Sequence, residues 1–208
     1  MAELIALDIE TTGLDFARDR ILSAALYVSE SDCVAFSGEE AVVIGSLDSW
    51  LRARPPSLVV GWHSSAFDCP MLRSRADHNG QPLLLEIRRK KRSSRGDERT
   101  RPRGAPPRGP EYAGTNDGGA SYLANFGHHQ HLDIAPFWRP WARLRGMSGA
   151  LKSVARANGI PVIEVDRSRM SDLSTEELCR YNLSDVRATH RLARMLPEQW
   201  LAACPVPG

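Results

Sequence analysis

Cysteine is scarce in this chain of 208 residues, and the four present (Cys33, Cys69, Cys179, Cys204) lie far apart with no C-x-x-C pair. That spacing argues against a zinc ribbon or a disulfide-stapled scaffold and points to a reducing compartment. Long apolar runs are missing as well: nothing approaches the roughly 20 apolar residues of a membrane-spanning helix. The opening MAELIALDIE has an acid at its third position and lacks the apolar stretch of a secretory leader. These absences set the expectation of a soluble, cytoplasmic protein with no membrane contact. Net charge is nearly absent too, +2 in all, against 42% hydrophobic and 25% charged residues. Such values are ordinary for a globular chain. The length suffices for one domain, 1–208, with a proper core.

The small net charge hides an asymmetry. From Arg88 to Arg108 there are ten Lys/Arg and two acids, a balance of +8, while the remainder carries 17 bases and 23 acids. The stretch 86–121 is charged, rich in Pro and Gly, and nearly free of large aliphatics after Ile87. It cannot bury enough apolar surface to offset its ordering entropy, so it reads as a flexible insertion. A charge run is ordinarily a solvated face. Ten cations beside a mildly acidic body would also suit phosphate contacts that weaken steeply with salt.

Residues 3–9 read as a short buried strand, and 20–29 and 33–38 as two more in an antiparallel hairpin. Helical spacing runs over 39–54, with Val43, Leu47 and Leu51 on one face. PPSLVVGWH (55–63) is a turn and a buried strand. Residues 65–80 form a helix that opens near Asp68 and closes at Asn79-Gly80, with Pro70 acceptable in its first turn. Folded texture returns over 121–138 as a strand and a helix start. Helices follow over 148–160 and 174–196, the last opened by Ser174 with Glu177 three residues on. Early strands with interleaved helices mean an α/β protein with at least one antiparallel edge.

Two carboxylates, Asp8 and Glu10, close the first strand. Residues i and i+2 share a strand face, so the two project together and repel unless a cation lies between them. Mg²⁺, which takes oxygen ligands, suits that place; a frayed strand end with two exposed acids is the plain alternative. Asp68 stands where a strand turns into a helix, the ordinary position of an N-cap. Tyr181 and Asp185 lie one turn apart on one helix face, where Asp has poor propensity; a solvent-facing pair is the alternative there.

Taken together, DIETTGL, WHSSAFD and YNLSD, in that order, resemble the three motifs of the DEDD exonuclease superfamily. The Tyr four residues before the last Asp resembles its Tyr-type (DEDDy) branch. HLDIAPFW and ALKSVARANGIP are similar to intervening segments of exonuclease domains in B-family DNA polymerases and their stand-alone relatives. The resemblance covers most of the chain outside the insertion. It implies a ribonuclease-H-like α/β fold, a mixed sheet of about five strands flanked by helices. It also implies two divalent cations, Mg²⁺ or Mn²⁺, and 3′→5′ removal of nucleotides from single-stranded nucleic acid, DNA favoured. Asp8 would bridge both ions, Glu10 and Asp185 would complete one, Asp68 would hold the other through water, and Tyr181 would orient the attacking water. An oxygen-only ligand set favours Mg²⁺ or Mn²⁺ over zinc. An RNA-directed enzyme and a non-catalytic binding module remain open, and proofreading would require a polymerase or repair partner.

Further residues follow from the same resemblance. Thr11 and Thr12 imply contact with the terminal nucleotide, and Leu14 a wedge beside the last base, unless that Leu anchors a turn. His63 occupies the place, five residues before Asp68, where the family usually has an Asn that touches the terminal nucleotide. It is either a donor to substrate or a histidine at the core edge. Phe67 stacks on a base or packs in the core. GHHQHLD (127–133) reads as a polar loop, since His128, His129 and His131 share no clean face. Asp133 stands at a strand end where the family often carries an Asp near the site.

Overall fold

Alternation along the first strand decides the layering. In the computed structural model, which describes residues 3–89 and 122–197, β1 (Glu3–Thr11) sends Ile5, Leu7 and Ile9 into one apolar cluster and Ala6 into another. A period of two puts these on opposite faces of the sheet. Strands β2 (Ile21–Ser29) and β3 (Asp32–Ser37) continue antiparallel from one side of β1, as the sequence predicts. On the other side lies β4 (Ser57–Gly61), parallel to β1 and buried throughout. A strand covered on both faces reads as an unbroken apolar run, here Leu58-Val59-Val60. Beyond β4 come β7 (His129–Asp133), β6 (Tyr122–Phe126) and β5 (Leu85–Arg89), completing the order β3-β2-β1-β4-β7-β6-β5.

The α/β class and the mixed sheet are as anticipated, but the sheet has seven strands rather than about five. Charge hid one of the additional strands. In β5, Glu86 and Arg88 are exposed while Leu85 is buried and Ile87 half-buried, the alternation of an edge strand whose charges guard against pairing with another chain. Residues 86–89 of the stretch read as an insertion are therefore strand, and residues 90–121 lie outside the described residues. Arg89 pairs with Tyr122, so the chain leaves and rejoins the sheet at one point. Because β6 runs antiparallel to β7, that point lies on the edge where the parallel strands β1, β4 and β7 end.

The other hidden strand lay in GHHQHLD, which is not a polar loop. Gly127, at φ +61, and His128 make a tight turn, and residues 129–133 are strand; glycine adopts positive φ at no steric cost. The ring nitrogens are used in packing. His129 Nδ1 accepts from the Ser57 amide at 3.2 Å while Nε2 meets the Leu51 carbonyl at 2.8 Å. His128 Nε2 lies 2.8 Å from the Arg54 carbonyl, and His131 Nε2 2.8 Å from Ser64 Oγ. Polar side chains that satisfy neighbouring backbone mimic a loop in composition while standing in a sheet.

Helices α1 (Glu40–Arg52) and α2 (Asp68–His78) cover one face through Val43, Ile44, Leu47, Met71 and Leu72. The other face is covered by α3 (Ala135–Leu144), α4 (Leu151–Ala157) and α5 (Thr175–Arg194), through Trp138, Val154, Val186 and Leu192. The Ser174–Glu177 capping box opens α5. Among the described residues no helix is long and apolar enough to cross a membrane.

A buried ion pair locks the first layer. Arg75 donates to the Glu40 carboxylate through Nε at 2.9 Å and Nη2 at 2.7 Å; Asn79 and the Ile21 amide, each at 2.8 Å, complete its shell. Burial pushes the Glu40 pKa up, but Arg75, the amide and Asn79 outweigh it and leave the group below the usual carboxylate range. Removing one partner strands a buried charge. Urea denaturation of Arg75→Ala should therefore show a loss of about 3–5 kcal/mol. Arg156→Ala, which breaks an exposed pair with Glu164, should cost at most about 1 kcal/mol.

Candidate active site

The face of β1 that carries Ala6 also carries Asp8 and Glu10, two and four residues on. A small residue at position 6 lets α5 approach this face closely, and α5 brings Asp185. One ligand oxygen from each of Asp8, Glu10 and Asp185 lies within 4.8 Å of the others. The strand is not frayed here: Asp8 pairs with Ala25 and Glu10 with Ser23, and an irregularity follows between Glu10 and Thr11. Such bulges re-aim side chains beside sites. Nor does Asp185 face solvent, being 3% exposed. Two bonds pin α5 around it: Asn182 Nδ2 donates to Ser23 Oγ at 2.8 Å, and Ser184 Oγ accepts from the Ile163 amide at 2.9 Å.

Asp68 stands outside this group of three but lines the same cleft. It is not the N-cap of α2; Phe67 holds that position. Instead its Oδ1 accepts from the Ile9 amide at 3.2 Å, which ties the second motif to the strand bearing the first. Burial pushes its pKa up to about 7, and the neighbouring Asp133 charge adds to the rise against the pull of the Ile9 and Asp68 amides.

Sequence reasoning missed Lys152. It lies on α4 in the buried register of an amphipathic helix, and lysines are almost never buried unless paired. Its Nζ sits 3.3 Å from Asp185 Oδ1, 3.7 Å from the centroid of the Tyr181 ring, and 2.5 Å from the Ile163 carbonyl. One ammonium thus offsets part of the mutual repulsion of the acids and meets the aromatic face it favours. Tyr181 is 1% exposed and packs with Met170 and Leu178; it is not among the residues that line the cleft. The detectable signal for Lys152 was a lysine between Leu151 and Val154 in an apolar helix face.

The cleft measures about 1140 Å³ and is also lined by Thr11, Thr12, Leu14, His63 and Phe67. Leu14 is 79% exposed, so it anchors no turn. The hydroxyls of Thr11 and Thr12 bind within their own loop, to the Gly13 carbonyl and to Asp19. Phe67 packs against Phe16, ring centroids 5.9 Å apart, as its core reading expects, and also borders the cleft. Asp133 is a scaffold for the site and not part of the lining. Its carboxylate accepts from the amides of His63 (2.9 Å), Ser65 (3.3 Å) and Ala135 (3.1 Å), binding the β4–α2 loop to the start of α3. Burial pushes its pKa up against those three amides and the nearby His63. Arg139 and Arg143 of α3 also border the cleft, and no sequence motif had marked them.

The three clustered acids fit a hard divalent ion on two counts. Every donor is a carboxylate oxygen, as Mg²⁺ and Mn²⁺ prefer. Their separation also matches one shared ion, whose opposite ligands stand roughly 4–5 Å apart.

No protein-family model matches the chain. A DNA polymerase of Archaeoglobus fulgidus is 29% identical to it over 66 residues, which is 32% of this chain and 8% of that protein. The family B DNA polymerase of the hyperthermophilic archaeon Pyrobaculum calidifontis superposes with a TM-score of 0.66 at 19% identity, over 93% of this chain and 24% of that one. The chain thus spans a quarter or less of the polymerases it is similar to. The structural likeness is one of fold: this helix-flanked mixed sheet recurs within a family B polymerase.

The buried Asp68 carboxyl has a measurable signature. An acid whose folded pKa lies above its unfolded value favours folding when protonated. That contribution is complete below its ordinary 3.8 and is lost as pH rises to about 7. In chelator, Asp68→Asn should therefore gain stability relative to the wild type as pH climbs through this window, then level off. Urea titrations across that range measure it, and a constant difference would refute the buried-acid account.

Proposed function

We propose that this protein is a metal-dependent 3′→5′ exonuclease acting on the 3′ end of single-stranded nucleic acid, with DNA ahead of RNA. The observation that carries this reading is the convergence of Asp8, Glu10 and Asp185, from opposite ends of the chain, within 4.8 Å. The likeness to DNA polymerases supports this reading. On this reading Asp8, Glu10 and Asp185 would hold one divalent ion, Mg²⁺ or Mn²⁺, and Asp8 with Asp68 a second. When bound, such ions supply Lewis acidity, lowering the pKa of water and stabilising charge on the leaving oxygen.

The chain's own residues position the reaction. On this reading Tyr181, buried and outside the cleft lining, turns its hydroxyl to the attacking water when substrate and metal are bound, and Lys152 holds both the Tyr181 ring and the Asp185 carboxylate. Leu14, exposed at the lip, and Phe67 press on the terminal bases, while the Thr11–Thr12 turn and His63 grip the last nucleotide. Without cations the clustered acids repel an anionic strand, so turnover depends on the metal and grip is weaker, though measurable, without it. A proofreading role would require a polymerase or repair partner to present the 3′ end.

End-labelled single-stranded DNA and RNA, incubated with Mn²⁺ or with EDTA, test this directly. The expected result is a ladder of stepwise shortening that EDTA removes; binding without shortening would overturn the enzyme in favour of a binding module. Asp8→Ala should abolish the ladder while leaving thermal stability equal or higher, since it relieves repulsion among the acids. Tyr181→Phe should lower kcat by about 10²-fold with Mn²⁺ affinity retained, as misplacing a reacting water does. Full activity in that variant would reject the role of the hydroxyl.

A further inference from the structure

The acids account for only part of the cleft. Arg139 and Arg143 stand at i and i+4 on α3, on the same helix face, and both line it. Arg139 is held from two sides. Its Nη2 donates to His63 Nδ1 at 3.0 Å. Its stem passes Gly149, where an added Cβ would stand 3.0 Å from Arg139 Cγ and force the side chain to move. A guanidinium has only donors, so His63 Nδ1 is the acceptor and the neutral ring carries its proton on Nε2.

His63 is itself fixed under strain. Its φ of 62° is the only positive value at a non-glycine residue among the described residues, and such conformations persist where surrounding structure over-determines them. Here the Asp133 carboxylate holds the His63 amide. A continuous series, Asp133 to the His63 backbone, the His63 ring to Arg139, thus orients a planar cationic fork at the cleft. Forks of this kind bind phosphate through paired N–H donors. The cleft, at about 1140 Å³, exceeds the roughly 300–1,000 Å³ of small-molecule pockets.

We propose that Arg139, oriented by His63 and admitted by Gly149, forms with Arg143 a phosphate-binding strip for the nucleotides upstream of the terminal one. The substrate is then a strand several nucleotides long rather than a small phosphodiester. This rests on the exonuclease reading, and it assigns to His63 a positioning task through Arg139 in addition to any contact with substrate.

Arg139→Gln tests the charge itself, because the amide keeps a polar donor on the same helix face but carries no charge. Three measurements compare it with the wild type: binding of a labelled oligothymidylate in EDTA across salt concentrations, KM and kcat on that oligonucleotide with Mn²⁺, and hydrolysis of the p-nitrophenyl ester of thymidine 5′-monophosphate, which has no upstream phosphate. The slope of log K against log salt should flatten by about 0.7, the value for one phosphate contact on a single strand. KM for the oligonucleotide should rise about tenfold at unchanged kcat, as loss of one charge-assisted contact implies, while the ester is hydrolysed at the wild-type rate. Gly149→Ala should shift KM in the same direction by less.

Unchanged slope and KM in Arg139→Gln overturn the proposal, and so does an equal loss on both substrates, which would mark Arg139 as a support of the reacting centre. If the wild type hydrolyses neither substrate, the exonuclease reading fails instead, and the salt slope still decides whether Arg139 meets phosphate.

Discussion

Like charges brought within 4.8 Å of one another are the constraint around which the rest of this structure is arranged. Glu10 and Asp185 are largely withdrawn from water, where repulsion between carboxylates is poorly screened. Several features make the cluster tolerable. Lys152 brings an ammonium to Asp185 without leaving the core. The Asn182–Ser23 bond holds α5 on the strand paired with β1, so the acids cannot relax by separating the helix from the sheet. The arrangement retains a capacity for further positive charge, of the kind a divalent cation carries.

The cleft is chemically two-sided. The acids enter from β1, α2 and α5, and the cations from α3. One carboxylate, Asp133, coordinates the arrangement from behind by collecting amides from the loop that carries His63 and from the first turn of α3. That explains why an acid at a strand end beside the site need not face a ligand. It fixes the relative position of the segment leading to Asp68 and the helix bearing Arg139, and a displacement of either would alter both walls together.

The legibility of these features in the sequence follows their range along the chain. Asp8 and Glu10 were readable as a same-face pair because strand period is local, and Tyr181 with Asp185 because helix period is local. The Ser174–Glu177 capping box was readable for the same reason. Strands β5 and β7 were not, since Arg88, His129 and His131 carry the polarity of loops, and only their sheet neighbours reveal why polar residues stand there. Taken alone, Asp68 read as a cap because its local position is that of one, whereas its actual partner, the Ile9 amide, is remote in sequence. Lys152 and Arg139 were silent because one charged residue on an amphipathic helix is ordinary until the partner it meets is known.

The order of motifs, the parity of the acids on β1 and the α/β class were therefore determined by the sequence alone, through periodicities spanning a few residues. Only the tertiary structure decided that Asp185 meets Asp8 and Glu10, that Lys152 lies between Asp185 and Tyr181, and that His63 carries Arg139 to the cleft. Those contacts depend on how closely α5 and α3 pack on the sheet. Such approach is set by Ala6, Gly149 and the whole of the surrounding core acting together, which no short stretch of residues encodes.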